Sequence, residues 1–438
     1  VQINVVLLWF HAASVVFIGS GNSCPDLGSV FVFKRSSFKD MAPLMVDKKT
    51  VRILSIDGGG VRGVIPSTFL TRFCPQAGID PTKVFESFDI IIGTSIGGLL
   101  SLGFAAGKTP SEMTQFFYDK GSSIFYYNSS LSLDAYKAGV ILHPLGFNYN
   151  YTFYGVGDPD HPDDSSINGL KKALTEVLGA NTKLSDLNGN LILTAWDADE
   201  DKAVLFSNLT QFPNYLIGSE FKAVEAGLAT SAAPLYFPSS TIDGHKYIDG
   251  GVFQNNPEIT AYAVAKQLFP TANRMCLLSV GTGVSYNDFL PPTLKLRNTS
   301  PLDPLTQDFQ KELTLLKLKL LIKYPNQEEK VHFLLNAMQV QGMSDYLPYN
   351  VSYLFYLMDN VFIPGPQEAN ASLMGFIAED LFDQIFTYRF QYKFLEGQDS
   401  ALDNYDPANL DKLVGYANAQ YDADALTIQN FINHFRAG

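Results

Sequence analysis

The feature that most constrains this chain is a glycine-rich turn set between a β-rich run and a helical pattern, and it occurs twice in close succession. Val51-Arg-Ile-Leu-Ser-Ile56 is a run of β-formers closed by Asp57-Gly-Gly-Gly60, after which Val61 to Phe73 reads as a helix with Pro66 in its first turns. Asp89-Ile-Ile-Ile92 is then a short buried strand, Gly93-Thr-Ser-Ile-Gly-Gly98 a tight turn, and Leu99 to Ala106 a helix of small and apolar residues. Further strands are expected at Leu191 to Ala195, Ala203 to Phe206 and Met275 to Val280, with helices near Ile167 to Val177, Ala223 to Ser231 and Ile259 to Leu268. Strands alternating with helices predict a mostly parallel sheet covered on both faces.

Composition removes several alternatives. With 438 residues, 46% of them hydrophobic and 17% charged, the chain has the makings of a large globular core and lies far from the disordered class. A formal net charge of −13 argues against a partner with a phosphate backbone, because nucleic-acid binding needs a basic footprint to release counterions. Three cysteines, Cys24, Cys74 and Cys276, make no disulfide framework. The six histidines include no i,i+4 pair and no HExxH, so a histidine-based metal site would have to be assembled from distant positions and is not expected; no motif asks for a cofactor, and none is expected.

The expected organisation has three parts. Residues 1–50 contain the apolar run Val5 to Gly19, compatible with a signal segment, a membrane-touching anchor or sequence outside the mature protein. The compartment follows from that choice: cytoplasmic or peripheral membrane, or secreted if the run is a signal peptide. Residues 51–285 form the α/β unit. Residues 286–438 open with a proline-rich loop (Pro291, Pro292, Pro301, Pro304) and continue in helical patterns, including Leu313 to Lys323, Val331 to Met343, Leu381 to Phe386 and Leu410 to Ala417. This part is expected as a helical layer packed on the same sheet.

Two turns and one aspartate carry candidate chemistry. Gly93-Thr-Ser95-Ile-Gly97 fits GxSxG, in which small flanking residues let a serine sit on a sharp strand-to-helix turn with its hydroxyl held above the sheet. The following helix aims its N-terminal amides at that hydroxyl. Asp57-Gly58-Gly59-Gly60-Val61-Arg62-Gly63 contains GxGxxG after a strand, but a dinucleotide site asks for an acidic residue at the end of the second strand, and Asp89 precedes its strand instead. The other reading is a set of backbone N–H groups at a helix start that hold an oxyanion. For a base, no histidine carries a turn signature. Tyr247-Ile-Asp249-Gly-Gly251 offers a carboxylate at a strand end whose neighbours permit close approach, though Asp-Gly-Gly is also an ordinary turn. His245, four residues earlier, is read as a loop residue.

Asp57-Gly-Gly-Gly-Val-Arg-Gly63, Gly93-Thr-Ser-Ile-Gly97 and Asp249-Gly-Gly251, in this order, resemble the signature blocks of patatin-like phospholipases, the Ser/Asp-dyad lipid acyl hydrolases. Ala229-Thr-Ser-Ala-Ala-Pro234, Tyr236-Phe-Pro238, Gln254-Asn-Asn-Pro257, Leu278-Ser-Val-Gly-Thr-Gly283, Tyr388-Arg-Phe-Gln391 and Leu402-Asp-Asn-Tyr-Asp-Pro407 are similar to further blocks of that family. The resemblance implies a three-layer α/β/α sandwich. It also implies Ser95 as nucleophile, Asp249 as general base, an oxyanion hole from the amides of Gly58, Gly59 and Gly60, and Gly93 and Gly97 as the glycines of the elbow. Arg62 would brace the loop or meet a lipid phosphate. The implied activity is phospholipase A-type hydrolysis of acyl esters without metal, at a peripheral membrane contact, with the identity of any activator left open. An esterase or thioesterase acting on soluble acyl groups, or a non-catalytic storage or binding protein, are the competing readings.

Two segments remain outside the motifs. The aromatic stretch Phe116 to Tyr154 is either core packing or an acyl-chain pocket with a lid. Lys311 to Lys323 (KELTLLKLKLLIK) is either a core-facing amphipathic helix or an interfacial one for anionic lipid.

Overall fold

The computed structural model describes residues 48–125, 169–209, 216–234, 236–285, 370–375, 377–378, 384–395 and 398–437. The expectations for residues 1–47, for most of the aromatic stretch and for Leu313 to Lys323 and Val331 to Met343 lie outside these residues.

The first expected unit is present as strand β1 (Thr50–Ile56), the glycine turn, a 3₁₀ turn (Gly60–Gly63) and helix α1 (Val64–Ala77). After the short α2 (Val84–Ser87), the second unit is β2 (Ile90–Thr94) leading through Ser95 into α3 (Ile96–Ala105). Then come α4 (Pro110–Ile124), α5 (Gly169–Leu178), β3 (Leu191–Asp197), β4 (Lys202–Ser207), β5 (Leu216–Ile217), α6 (Ala223–Thr230), β6 (Ser240–Ile242) and β7 (His245–Asp249). The chain continues through α7 (Gly251–Gln254), α8 (Glu258–Leu268), β8 (Arg274–Val280), β9 (Val284–Ser285), β10 (Ile385–Phe390), β11 (Lys393–Phe394), α9 (Pro407–Ala423) and α10 (Ala425–Arg436). α4 starts where the sequence caps it: the Thr109 hydroxyl accepts from the Glu112 amide, the Glu112 carboxylate accepts from the Thr109 amide, and Pro110 follows.

The main sheet runs β10-β8-β1-β2-β3-β4-β5, and β10, β8, β1, β2 and β3 are parallel. β1 is apolar on both faces because both are covered. Leu54 and Ile56 join the core under α1, α3, α4 and the C-terminal helices, whereas Val51 and Ile53 join a second core under α8. That is the expected mostly parallel sheet between helical layers. β4 and β7 run antiparallel to β3, and β6 antiparallel to β7.

One expectation is corrected. Of the helical pattern expected over Leu381 to Phe386, the described Ile385 and Phe386 are not helical, because Ile385–Phe390 is an edge strand pairing in parallel with Met275–Val280 of β8. Its buried residues Ile385, Tyr388 and Phe390 face different cores, a two-sided pattern that a helical period does not separate from a strand. Among the described residues, no helix is long and apolar enough to cross a membrane.

Candidate active site

Register brings Ser95 and Asp249 together. β2 pairs with β3 up to Thr94 opposite Thr194, and the next residue of β3, Ala195, pairs with Asp249 of β7. Since β4 already occupies the other edge of β3 over Ile192 to Asp197, β7 takes the edge that β2 vacates. The last residue of β7 therefore lies beside the turn that ends β2.

That turn is strained and tightly packed. Ser95 has φ 55° and ψ −125°, a conformation that costs a non-glycine residue about 1–3 kcal/mol and persists only when its surroundings enforce it. A Cβ at Gly93 would lie 2.2 Å from the Gly97 carbonyl oxygen, and one at Gly97 would lie 2.3 Å from the Ile56 carbonyl oxygen. Both glycines of the motif are thus required by contact. A threonine chain fixes the turn further. The Ser95 amide donates to Thr230 Oγ1 (3.1 Å), and the Thr230 hydroxyl donates to the Thr194 carbonyl (2.7 Å). Thr94 Oγ1 lies 2.7 Å from Thr194 Oγ1 and donates to the Gln254 carbonyl (2.9 Å).

Asp249 is 4% exposed, and its backbone N–H donates to the Ala232 carbonyl (3.0 Å). A Cβ at Gly250 would lie 2.1 Å from Thr194 Oγ1, so a glycine after the aspartate lets β7 close onto β3. Burial pushes the Asp249 carboxyl up to about 7, against the opposing pull of hydrogen bonds from the Ser95 hydroxyl and the Gly251 amide. The Gly251 amide bond is 2.7 Å long. A carboxylate with this affinity for protons, lining the same cleft as a serine at the N-terminus of α3, is equipped to remove the hydroxyl proton near neutral pH.

The glycine loop lies opposite. Gly59 and Gly60 line the same cleft as Ser95 and Asp249, and their amides donate to no acceptor among the described residues. Gly58 departs from expectation, because its amide is committed to the Asn255 carbonyl (3.1 Å) and is not available to an oxyanion. Its own carbonyl accepts from Asn255 Nδ2 (3.2 Å) and from the Thr282 hydroxyl. Arg62 is buried under the loop, with Nε donating to the Gly59 carbonyl (3.4 Å) and the guanidinium 5.8 Å from the Phe394 ring centre. That contact fits a brace for the loop, and Arg62 is not among the residues that line the cleft.

The cleft encloses about 800 Å³, part of it open to solvent, and its wall is almost wholly apolar. Leu99, Phe116, Phe117, Phe125, Tyr236 and Phe237 stand in it, so the described start of the aromatic stretch does line the cleft. His245 does not. It opens β7, roughly 13 Å along the strand from Asp249, and its Nδ1 lies 3.2 Å from Asp197 Oδ2. Asp197, Glu200 and His245 bring one ligand atom each within 4.8 Å of one another, the one such grouping among the described residues. Asp197 Oδ1 there accepts the amides of Asp199 and Glu200, and Glu200 pairs with Lys202.

Thr230, Asn255, Thr282, Arg389 and Leu402 were given no role by sequence reasoning. All five stand in blocks singled out for the family resemblance, and only the folded contacts show what they hold.

A parallel-sheet α/β fold with a serine elbow, a facing carboxyl and an amide loop defines a serine-centred site. The family model of patatin-like phospholipases matches residues 54–262, the stretch that holds the serine elbow, the glycine loop and Asp249. A cGAMP-activated phospholipase of Escherichia coli is 32% identical over 264 residues, 57% of this chain and 66% of that protein. The human calcium-independent phospholipase A2-gamma is 28% identical over 302 residues, 67% of this chain and 34% of that protein. The chain thus spans just under two thirds of the bacterial relative and about a third of the human one. Among solved structures, human GIVD cytosolic phospholipase A2 in complex with methyl γ-linolenyl fluorophosphonate aligns over 89% of this chain and 59% of its own, with TM-score 0.35 and 9% identity. VipD from Legionella pneumophila aligns over 64% and 56%, with TM-score 0.30 and 12% identity.

Proposed function

We propose that the protein is a lipid acyl hydrolase that cleaves fatty-acyl esters of phospholipids or related lipids through an acyl-serine intermediate. The observation that carries this reading is the register that sets the buried Asp249 carboxyl at the end of β7 beside the Ser95 turn, both lining one apolar cleft. Ionised Asp249 takes the hydroxyl proton as Ser95 Oγ attacks the ester carbonyl. The amides of Gly59 and Gly60 and the N-terminus of α3 receive the negative oxygen. Collapse of the tetrahedral intermediate breaks the bond to the alcohol, which leaves with the proton from Asp249. Water then gives its proton to the same carboxylate, attacks the acyl-serine and releases the fatty acid, regenerating Ser95.

The apolar wall favours an acyl chain over a polar substituent. The phospholipase names of the bacterial and human relatives support a lipid substrate, reached by peripheral contact with a membrane.

The test is fatty-acid release from mixed phosphatidylcholine and phosphatidylglycerol vesicles in the presence of chelator. Wild type is expected to release fatty acid, and Ser95→Ala and Asp249→Asn to lose the activity by about three orders of magnitude or more while folded. Release that survives either substitution overturns the assignment. Cleavage of a soluble short-chain ester with intact vesicles moves the protein to the soluble-esterase reading.

A further inference from the structure

The residues that shape the glycine loop are not all in the part of the chain that contains the loop. Asp57 is fully buried, and its carboxylate meets Arg389, 332 residues away, with Nη1 at 3.3 Å from Oδ1 and Nη2 at 2.6 Å from Oδ2. Arg389 Nη1 also donates to Ser279 Oγ (2.7 Å), the residue it faces across the β10–β8 register. Two residues on, Gln391 Oε1 accepts the Gly283 amide (2.9 Å), which steadies the turn carrying Thr282 against Gly58. Leu402 completes the bracket, its carbonyl accepting the Val61 amide (2.8 Å) where Gly60 turns with φ 57°. A Cβ at Gly60 would lie 2.0 Å from that carbonyl oxygen.

We propose that Arg389, Gln391 and Leu402, outside the span matched by the family model, complete the active site, with Arg389 as a positioning residue that sets the glycine loop through Asp57. The inference rests on the acyl-hydrolase reading above and assigns that site a further residue. The argument is electrostatic as well as steric. Asp57 places a buried negative charge next to the two amides that receive the oxyanion, and a charge of the same sign there opposes the transition state. Arg389 neutralises it with a two-pronged contact that a lysine cannot reproduce. Removing Arg389 takes the two-pronged partner from a buried carboxylate, whereas removing both side-chain charges removes the need for that partner. The acyl cleft includes neither side chain, so substrate binding is spared.

The experiment measures kcat and KM on one long-chain ester for wild type, Arg389→Met, Arg389→Lys and the double variant Asp57→Asn/Arg389→Met, with denaturation midpoints alongside. Arg389→Met is expected to lower kcat about a hundredfold with KM within about threefold of wild type, the size of effect seen when one oxyanion donor is lost. Arg389→Lys should recover part of kcat, and the double variant should exceed Arg389→Met by about tenfold. A double variant no better than Arg389→Met, or an Arg389→Met enzyme with wild-type kcat, overturns the proposal. If Arg389→Met does not fold, the folded double variant decides: kcat more than a thousandfold below wild type refutes the charge argument, and kcat within about thirtyfold supports it. A wild type that hydrolyses no ester condemns the acyl-hydrolase reading instead.

Discussion

Replacing Asp249 by Asn should stabilise the protein at alkaline pH while stopping its chemistry. The carboxyl ordinarily titrates at 3.8, and burial holds it at about 7 in the folded chain. The folded state therefore keeps a proton that the unfolded state gives up above pH 4. This aspartate costs no stability below 3.8, costs progressively more as pH rises from 4 to 7, and costs most above 7. By proton linkage the penalty is roughly 2 kcal/mol at pH 5 and roughly 4 kcal/mol at pH 8. The amide cannot ionise and avoids both. Denaturant unfolding of wild type and Asp249→Asn at the two pH values is thus expected to show the advantage of the variant growing by roughly 2–3 kcal/mol from pH 5 to pH 8. The same titration governs activity: wild-type kcat/KM should climb with pH through a midpoint near 7 and then level, because only the ionised carboxylate accepts the Ser95 proton. An advantage that is flat or shrinks with pH, or an activity midpoint near 4, would refute the reasoning.

Further outcomes follow from other contacts. Thr230→Val removes the acceptor of the Ser95 amide bond at nearly constant volume, and should lower kcat about tenfold with a loss of about 1 kcal/mol in stability, read by steady-state kinetics and denaturation. Gly97→Ala drives a methyl against the Ile56 carbonyl oxygen and should destabilise the fold by several kcal/mol or prevent it, visible as loss of soluble protein or a lowered unfolding midpoint. Leu99→Trp fills cleft volume beside Ser95 and should shift a chain-length series toward shorter acyl groups while short-ester turnover is retained. His245→Ala, at the far end of β7, should leave hydrolysis within about threefold of wild type. A loss as complete as that of Asp249→Asn would contradict a two-residue apparatus.

Much of the site was legible in sequence because its demands are local. An elbow serine needs glycines two residues before and after it, and the clashes at Gly93 and Gly97 show why. The Asp-Gly-Gly turn was legible for a similar reason, since only a glycine after Asp249 lets β7 close on Thr194. The alternating strands and helices followed from short apolar runs between glycine turns. What stayed hidden depends on contacts across the chain. No local pattern tells that the Gly58 amide is spent on Asn255, 197 residues away, or that Arg389 answers Asp57. Arg62 illustrates the same limit: its type and position fit either a phosphate contact or a brace, and only the fold shows its contacts with the Gly59 carbonyl and the Phe394 ring. Residues 381–386 were read as helix because an apolar run of that length carries no decisive period, and pairing with β8 makes Ile385–Phe390 a strand.

The central claim is that Ser95, activated by Asp249 alone, forms the covalent bond to the acyl group. The most direct measurement is peptide mapping by mass spectrometry after reaction with a long-chain alkyl fluorophosphonate, comparing labelling rates of wild type, Asp249→Asn and His245→Ala. The account predicts a single adduct on Ser95, formed at similar rates in wild type and His245→Ala and abolished in folded Asp249→Asn. An adduct on another residue, or labelling of Ser95 that ignores the loss of Asp249, would contradict it.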